Sequence, residues 1–261
     1  MKVDERPDLY FFGKIVSLSH CLLFVALFAA ALPKLLGAAE LHVCSTCGLN
    51  TNPGDALAPV RTIQRAADLA QPGDVISVAP GVYRERVAPP RGGKPDRPIV
   101  FRSQVRLQAI IKGSDVWEPL WRQEGGPIWS GEVSPDLFTD KRHVDGANPF
   151  EVALASTPWG REGRPEKERG YPGAHPDVVY SLGQVIVDGG LFRQAPLRSE
   201  LEAQSGTWYY DAATKRLYVH FHGEVAPEDR FVEITTRRRI FAPHLRGLGH
   251  IEIDGFVMEH C

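Results

Sequence analysis

The sequence predicts an all-β chain of short strands preceded by a single helix. Three observations predict it. Gly (25) and Pro (21) are frequent among the 261 residues, above their combined average usage of about 12%. The apolar runs between them are short, as strands separated by tight turns require. Only one segment, 60–70, carries a clear helical period. Hydrophobic residues make up 43% and charged residues 24%, a core-forming composition rather than a disordered one. A formal net charge of -2 gives no reason to expect a nucleic-acid partner.

The chain opens with an address. Cys21 to Leu32, "CLLFVALFAAAL", is an unbroken apolar run. It fits the h-region of a signal peptide and falls short of the about 20 residues of a membrane span. Lys2, Arg6 and Lys14 supply positive charge ahead of it, diluted by Asp4, Glu5 and Asp8. Gly37 and Ala39 are small residues where a signal peptidase needs them, so residues 1–39 read as the leader and Glu40 as the first mature residue. The rival reading extends the run back to Ile15 and keeps it as an anchor; Ser17, Ser19, His20 and Lys34 weaken it. The protein is therefore expected to be secreted, or periplasmic or at the cell surface, with no stable membrane span after cleavage.

The mature chain keeps Cys44, Cys47 and Cys261. An exported compartment permits disulfides. Cys44-Ser-Thr-Cys47 has the spacing of half a zinc site, but no second Cys or His pair stands at matching spacing, so no metal is expected. A redox CxxC opens a helix after a strand, whereas Gly48 and "NTNPGD" follow here. A tight local disulfide between Cys44 and Cys47, or two unpaired small residues, is the reading. Cys261 is left over.

The elements follow in order. "LHV" (41–43) is a short strand and "GLNTNPGDALAP" a loop. In 60–70, Val60, Ile63, Ala66, Ala67 and Ala70 form one stripe, with Arg61, Gln64, Arg65 and Asp68 opposite. Pro72-Gly73 stops the helix. Strands are expected at 74–79, 82–88, 99–103 and 105–114. They could pair as antiparallel hairpins, or stack as a coil of parallel strands whose open end the helix caps. Residues 115–235 break this pattern: "QVIVDGGLFRQA" reads as strand, Asp-Gly turn, strand, and "GTWYYDAATKRLYVHF" as a hairpin turning at 211–214. They read as an inserted antiparallel β module. The stack resumes at "FVEITTRRRIFAP" and "HIEIDGFVMEHC".

"NTNPGDALAPVRTIQRAADLAQPGDVISVAPGVYRERV" resembles the opening of secreted right-handed parallel β-helix proteins of the pectate-lyase-like group. "PPRGGKPDRPIVFRS", "IKGSDV", "QVIVDGGLF" and "HIEIDGFVMEH" extend the resemblance along nearly the whole mature chain. The β-xylosidase-type β-helix glycoside hydrolases are the most similar in flavour. Cys44 and Cys47 depart from the pattern, standing where small or polar residues are usual, and "SQVRLQAIIKG" lacks the usual Pro-Gly turn. The resemblance implies a capping helix and first coils over 40–114, the inserted module over 115–235, and a resumed coil over 236–261. It also implies that further coils follow, so the chain is expected to be an amino-terminal fragment with its catalytic residues beyond Cys261.

For function, the resemblance implies an exported protein acting on polysaccharide or oligosaccharide. A hydrolase uses two carboxylates about 5–9 Å apart. A pectate- or alginate-type lyase uses a base beside a uronate carboxyl, often with Ca²⁺ as the electrophile. A non-enzymatic glycan-binding or adhesin β-helix is the third possibility. Near-neutral charge favours a neutral sugar and hence hydrolysis, for which no cofactor is evident.

Within the chain, Trp159 in the Gly/Pro/charge-rich stretch 156–177 is the candidate sugar platform, since sugars stack on flat aromatic faces. His175 is the second candidate for substrate contact; His175 with Asp177, and His143 with Asp145, are loop pairs of the kind that does acid–base work, with no nucleophile evident nearby. Trp117, Trp121 and Trp208 read as packing. Glu85 between Arg84 and Arg86 reads as a hydrogen-bonded surface set before it reads as an acid. Asp188 and Asp254 read as turn residues. His220 and His222 share a strand face with Tyr218, read as a solvated hairpin face before a metal site. Arg237, Arg238 and Arg239 read as a solvated charge run before an acidic-glycan contact.

Overall fold

A computed structural model describes residues 37–138, 148–152, 180–195, 197–223, 226–243 and 245–261. Residues 1–36, most of the segment read as a leader, lie outside the described residues, as do His143, Asp145, Trp159, His175 and Asp177. The chain is mostly β, with one α-helix among the described residues, as the composition predicts. No helix among them is long and apolar enough to cross a membrane.

The helix α1 (Ile63–Leu69) buries the predicted stripe: Val60, Ile63, Ala66, Ala67 and Ala70 all lie in the core. It is shorter than the periodic segment because Thr62 caps it, its side chain accepting from the Arg65 N–H. Val60 forms a parallel bridge to Val43 instead.

Around α1 the short strands pair in parallel. β1 (Glu40–Val43), β2 (Val75–Val78), β4 (Ile99–Ser103) and β14 (Ile251–Asp254) form one sheet in that order, every pair parallel and in register. β3 (Gly81–Tyr83), β5 (Ala109–Lys112) and β15 (Phe256–Glu259) form a second, also parallel. The antiparallel alternative for these strands is therefore excluded. Parallel neighbours of this kind need crossovers, and the crossovers here include tight turns. Gly81, at φ 152°, passes Ser45 so closely that a Cβ there would stand 2.7 Å from its Oγ, and Gly255, at φ 76°, carries β14 into β15. Ile76, Val78, Ile99, Phe101, Ala109 and Ile111 point inward and make one core with α1.

Residues 75–78 pair with β1 and β4, and β14 lies one strand further out, against β4. Two sequence readings shift. The strand read over 82–88 stops at Tyr83, because Glu85 turns toward the start of α1 and Val87 bridges Phe241. The strand read over 105–114 splits: the Gln108 N–H closes a turn on the Val105 carbonyl, Leu107 sits at φ 62°, and pairing starts at Ala109.

Residues 114–235 supply an eight-stranded sheet. Its strands are β6 (Ser114–Val116), β7 (Arg122–Gly125), β8 (Ile128–Glu132), β9 (Val185–Val187), β10 (Gly190–Gln194), β11 (Thr207–Asp211), β12 (Arg216–His220) and β13 (Val232–Thr235). The order is β6-β13-β9-β10-β11-β12-β8-β7, antiparallel except where β10 meets β11. Asp188 (φ 52°) and Gly189 (φ 80°) both occupy the left-handed region, the two-residue hairpin turn that Asp-Gly predicts. A second core, with Trp117, Trp208, Phe150, Phe192, Leu217 and Val219, fills one face. Residues 231–243, read as the return to the stack, divide: β13 stays in the antiparallel sheet, and 240–242 return to Val87, with Phe241 as its bridge partner and Ile240 in the first core.

Candidate functional site

The two cores meet at a buried carboxylate. Glu233 alternates with apolar neighbours on β13 and is 1% exposed. Parallel pairing of β3 with β5 delivers Arg84 and Lys112 to it from the ends of those strands, and β6 adds Ser114. Arg84 Nη1 and Ser114 Oγ donate to Glu233 Oε1, the latter at 3.0 Å. Lys112 Nζ donates to Oε2 at 3.1 Å. Burial pushes this carboxyl up, but Arg84, Lys112 and Ser114 together outweigh it and hold the group below the ordinary glutamate range.

The network continues to β15. Lys112 Nζ also lies 3.1 Å from Glu259 Oε1. Ser114 Oγ is 3.2 Å from His260 Nδ1. A hydroxyl has one proton, and Ser114 gives it to Glu233, so His260 must donate to Ser114. That is the reverse of a histidine drawing a proton from a nucleophile. The glutamate is buried, ionised and fully hydrogen-bonded, so it has neither the access nor the protonation state of a general acid. The cluster ties sheets together.

The predicted residues fall out as follows. Glu85 accepts from the Ile63 and Gln64 N–H groups, at 2.9 and 2.8 Å, and so satisfies two of the free donors at the start of α1. Asp188 accepts from the Phe231 N–H and from Arg230, each at about the same short range, and these contacts hold its carboxyl below the usual aspartate range. Asp254 ends β14 and pairs with Arg102 at 3.5 Å. Arg237 pairs with Asp115 at 3.0 Å. Trp117 and Trp208 are buried in the second core, with Trp121 packed against it. Cys44 and Cys47 are joined by a disulfide, and Cys261 is an exposed free thiol.

One reading is corrected. The face carrying Tyr218 and His220 is buried, not solvated: Leu201 and Ala195 pack on Tyr218, and His220 Nδ1 contacts the Leu201 carbonyl. His222 turns to Ser205 Oγ at 2.9 Å. The two imidazoles therefore have separate partners.

Sequence reasoning missed Glu233, Lys112 and Ser114. The available signal was an acid alternating with β-branched residues in "FVEIT", which reads equally as an exposed strand position. A second missed cluster links Tyr210 Oη to Glu151 Oε1 at 2.8 Å, with Lys215 Nζ at 2.6 Å from the same oxygen. Lys215 bonds outweigh burial and hold Glu151 low, while burial and Glu151 push the Tyr210 phenol far up. Neither group titrates near neutrality.

Comparison with known proteins adds three observations. Residues 46–107 match a family described as "Protein of unknown function (DUF1565)". No curated protein matches the chain. Among solved structures, "The complex structure of XylC with xylose" is 26% identical with a TM-score of 0.69, over 85% of this chain and 35% of that one. A structure described as "Glycoside hydrolase" is 15% identical with a TM-score of 0.51, over 85% of this chain and 51% of that one, a likeness of fold alone. The chain thus spans about a third of the length of the XylC structure it matches.

Proposed function

We propose that this chain is the amino-terminal part of an exported parallel β-helix protein that acts on carbohydrate, and that the whole protein is a glycoside hydrolase. The likeness to the XylC structure carries this reading, because it runs over 85% of the chain at 26% identity. The two parallel ladders around α1 support the architecture. In this reading 1–39 is the leader, 40–114 the cap and first coils, 115–235 an inserted β module and 236–261 the resumed coil. Ala39 already donates to Asp74 at 2.9 Å, so cleavage after it gives up that hydrogen bond.

Hydrolysis needs two approachable carboxylates about 5–9 Å apart. Glu233 and Glu259 share Lys112, but Glu233 is sealed and ionised. In our reading the catalytic pair is therefore supplied by coils beyond the described strands, each about 4.8 Å further along the stack. Trp159 and His175 remain the proposed sugar contacts within this chain.

The test assays 40–261, and a longer form carrying the downstream coils, against xylan and xylo-oligosaccharides by reducing-sugar release. Release by the longer form alone is expected. Turnover by 40–261 alone overturns the division of labour. An unsaturated product from a uronate substrate replaces hydrolysis with lyase chemistry, and glycan binding without turnover by the longer form replaces enzyme with adhesin. Amino-terminal sequencing of exported protein tests the leader: a start at Glu40 supports it, and an intact residue 1 in the cytosol rejects it.

A further inference from the structure

The disulfide in the first turn of the described chain is asymmetric. Cys47 is exposed and Cys44 half-buried. Two donors converge on Cys44 Sγ. The Cys47 N–H lies 3.0 Å from it and Thr46 Oγ1 lies 3.6 Å from it. A disulfide sulfur carries no proton, so the threonine hydroxyl donates. Among the described residues no hydrogen bond reaches Cys47 Sγ. One sulfur is thus open to attack, and the other is surrounded by groups that stabilise negative charge.

That is the arrangement thiol–disulfide exchange requires. An attacking thiolate needs access to one sulfur, and the partner sulfur leaves faster when its thiolate is stabilised. We propose that Cys44–Cys47 is a thiol-exchange site, with Cys47 the sulfur attacked and Cys44 the leaving group. The substrate class is a dithiol reductant. Its first thiolate bonds to Cys47 Sγ as the Cys44–Cys47 bond breaks, and Cys44 departs as a thiolate held by the Cys47 N–H and Thr46. The reductant's second thiol, once deprotonated, attacks its own sulfur in the mixed disulfide and releases Cys47 as a thiolate. Each protein thiolate takes up a proton, so the protein gains two thiols and the reductant becomes a disulfide.

The surroundings make exchange local. Closing so short a loop constrains the unfolded chain least, and neither cysteine belongs to the apolar core. The turn nevertheless connects to α1. The Cys44 carbonyl accepts from the Gly48 N–H, the Gly48 carbonyl accepts from Arg61 Nε at 3.1 Å, and Asn50 Oδ1 accepts from the Arg61 and Thr62 N–H groups. Gly48 sits so close to the Val60 carbonyl that a Cβ there would stand 2.3 Å from it. Reduction therefore loosens the segment 48–61 and leaves the β sheets in place.

The experiment uses the native protein with its existing thiols first blocked by N-ethylmaleimide. It is then treated with dithiothreitol, alkylated with iodoacetamide and mapped by peptide mass. Two new thiols, at Cys44 and Cys47, are expected without denaturant and with an unchanged circular dichroism spectrum. A monothiol, glutathione, should be trapped on Cys47. Thr46→Val should slow reduction by about threefold, through the weaker leaving group. The Cys44→Ser/Cys47→Ser double variant should match reduced wild type in protease sensitivity across 48–61. New thiols that appear only after denaturation overturn the proposal, as does glutathione trapped chiefly on Cys44. Equal reduction rates for wild type and Thr46→Val overturn the assigned polarity.

Discussion

Lys112 Nζ stands 3.1 Å from Glu233 Oε2, joining the end of a parallel strand to a strand of the antiparallel sheet across 121 residues of sequence. With Arg84 and Ser114 on the other oxygen, the carboxylate is fully satisfied. A buried charge so enclosed is weak evidence of net stabilisation, because desolvation opposes it. Its removal is another matter, since Arg84 then loses its carboxylate and Lys112 keeps only the half-exposed Glu259.

Glu233→Gln is therefore expected to destabilise the protein by about 3 kcal/mol, read as a fall in the urea midpoint. Replacing Arg84, Lys112 and Glu233 together by apolar residues of similar volume should cost less than the single change. A single-variant loss within error of zero would show that water reaches the cluster.

The pH dependence follows from the same contacts. The folded Glu233 carboxyl titrates below its ordinary value of 4.5. The unfolded chain then binds the proton first as pH falls, so the contribution is complete above that value and is lost as pH drops through the folded one. Asp188 acts in the same direction through Phe231 and Arg230. Thermal midpoints measured downward from neutrality should hold and then fall below pH 4.5, with a shallower fall in Glu233→Gln. An unchanged slope in that variant would remove Glu233 from the account.

Glu85 is expected to matter for α1 and not for turnover. Glu85→Ala leaves the Ile63 and Gln64 N–H groups without their acceptor, a loss of about 1 kcal/mol on the scale of a helix cap. Denaturation of the variant, with activity of the longer form assayed in parallel, checks both halves. Intact stability with lost activity would reverse the assignment.

Hydrogen exchange should rank the parallel strands. β2 and β4 have neighbours on both sides, whereas β14 and β15 each lie at the edge of their sheet among the described strands. Amides of 76–78 and 99–101 are expected to outlast those of 251–254 and 256–259. Equal protection would mean that the edges are covered in solution, by a second copy or by further chain.

Some of this protein is local and could be read from neighbours alone. The stripe from Val60 to Ala70 needs only the helical period, and the turns at Asp188-Gly189 and Asp254-Gly255 need only the chemistry of two residues. The same holds for the hairpin that pairs Asp211 with Arg216. Pairing between distant strands has no such local code. Whether 75–78 meets 100–103 or 251–254 depends on which apolar faces close on one core, and that is settled only when all of them are present. The same physics hid the polar residues. Glu85 finds its partners 22 and 21 residues back, Glu233 meets Arg84 across 149, and Tyr218 is covered by Leu201 and Ala195. A charge on a short strand looks solvated until tertiary packing removes the water and supplies the counter-charge.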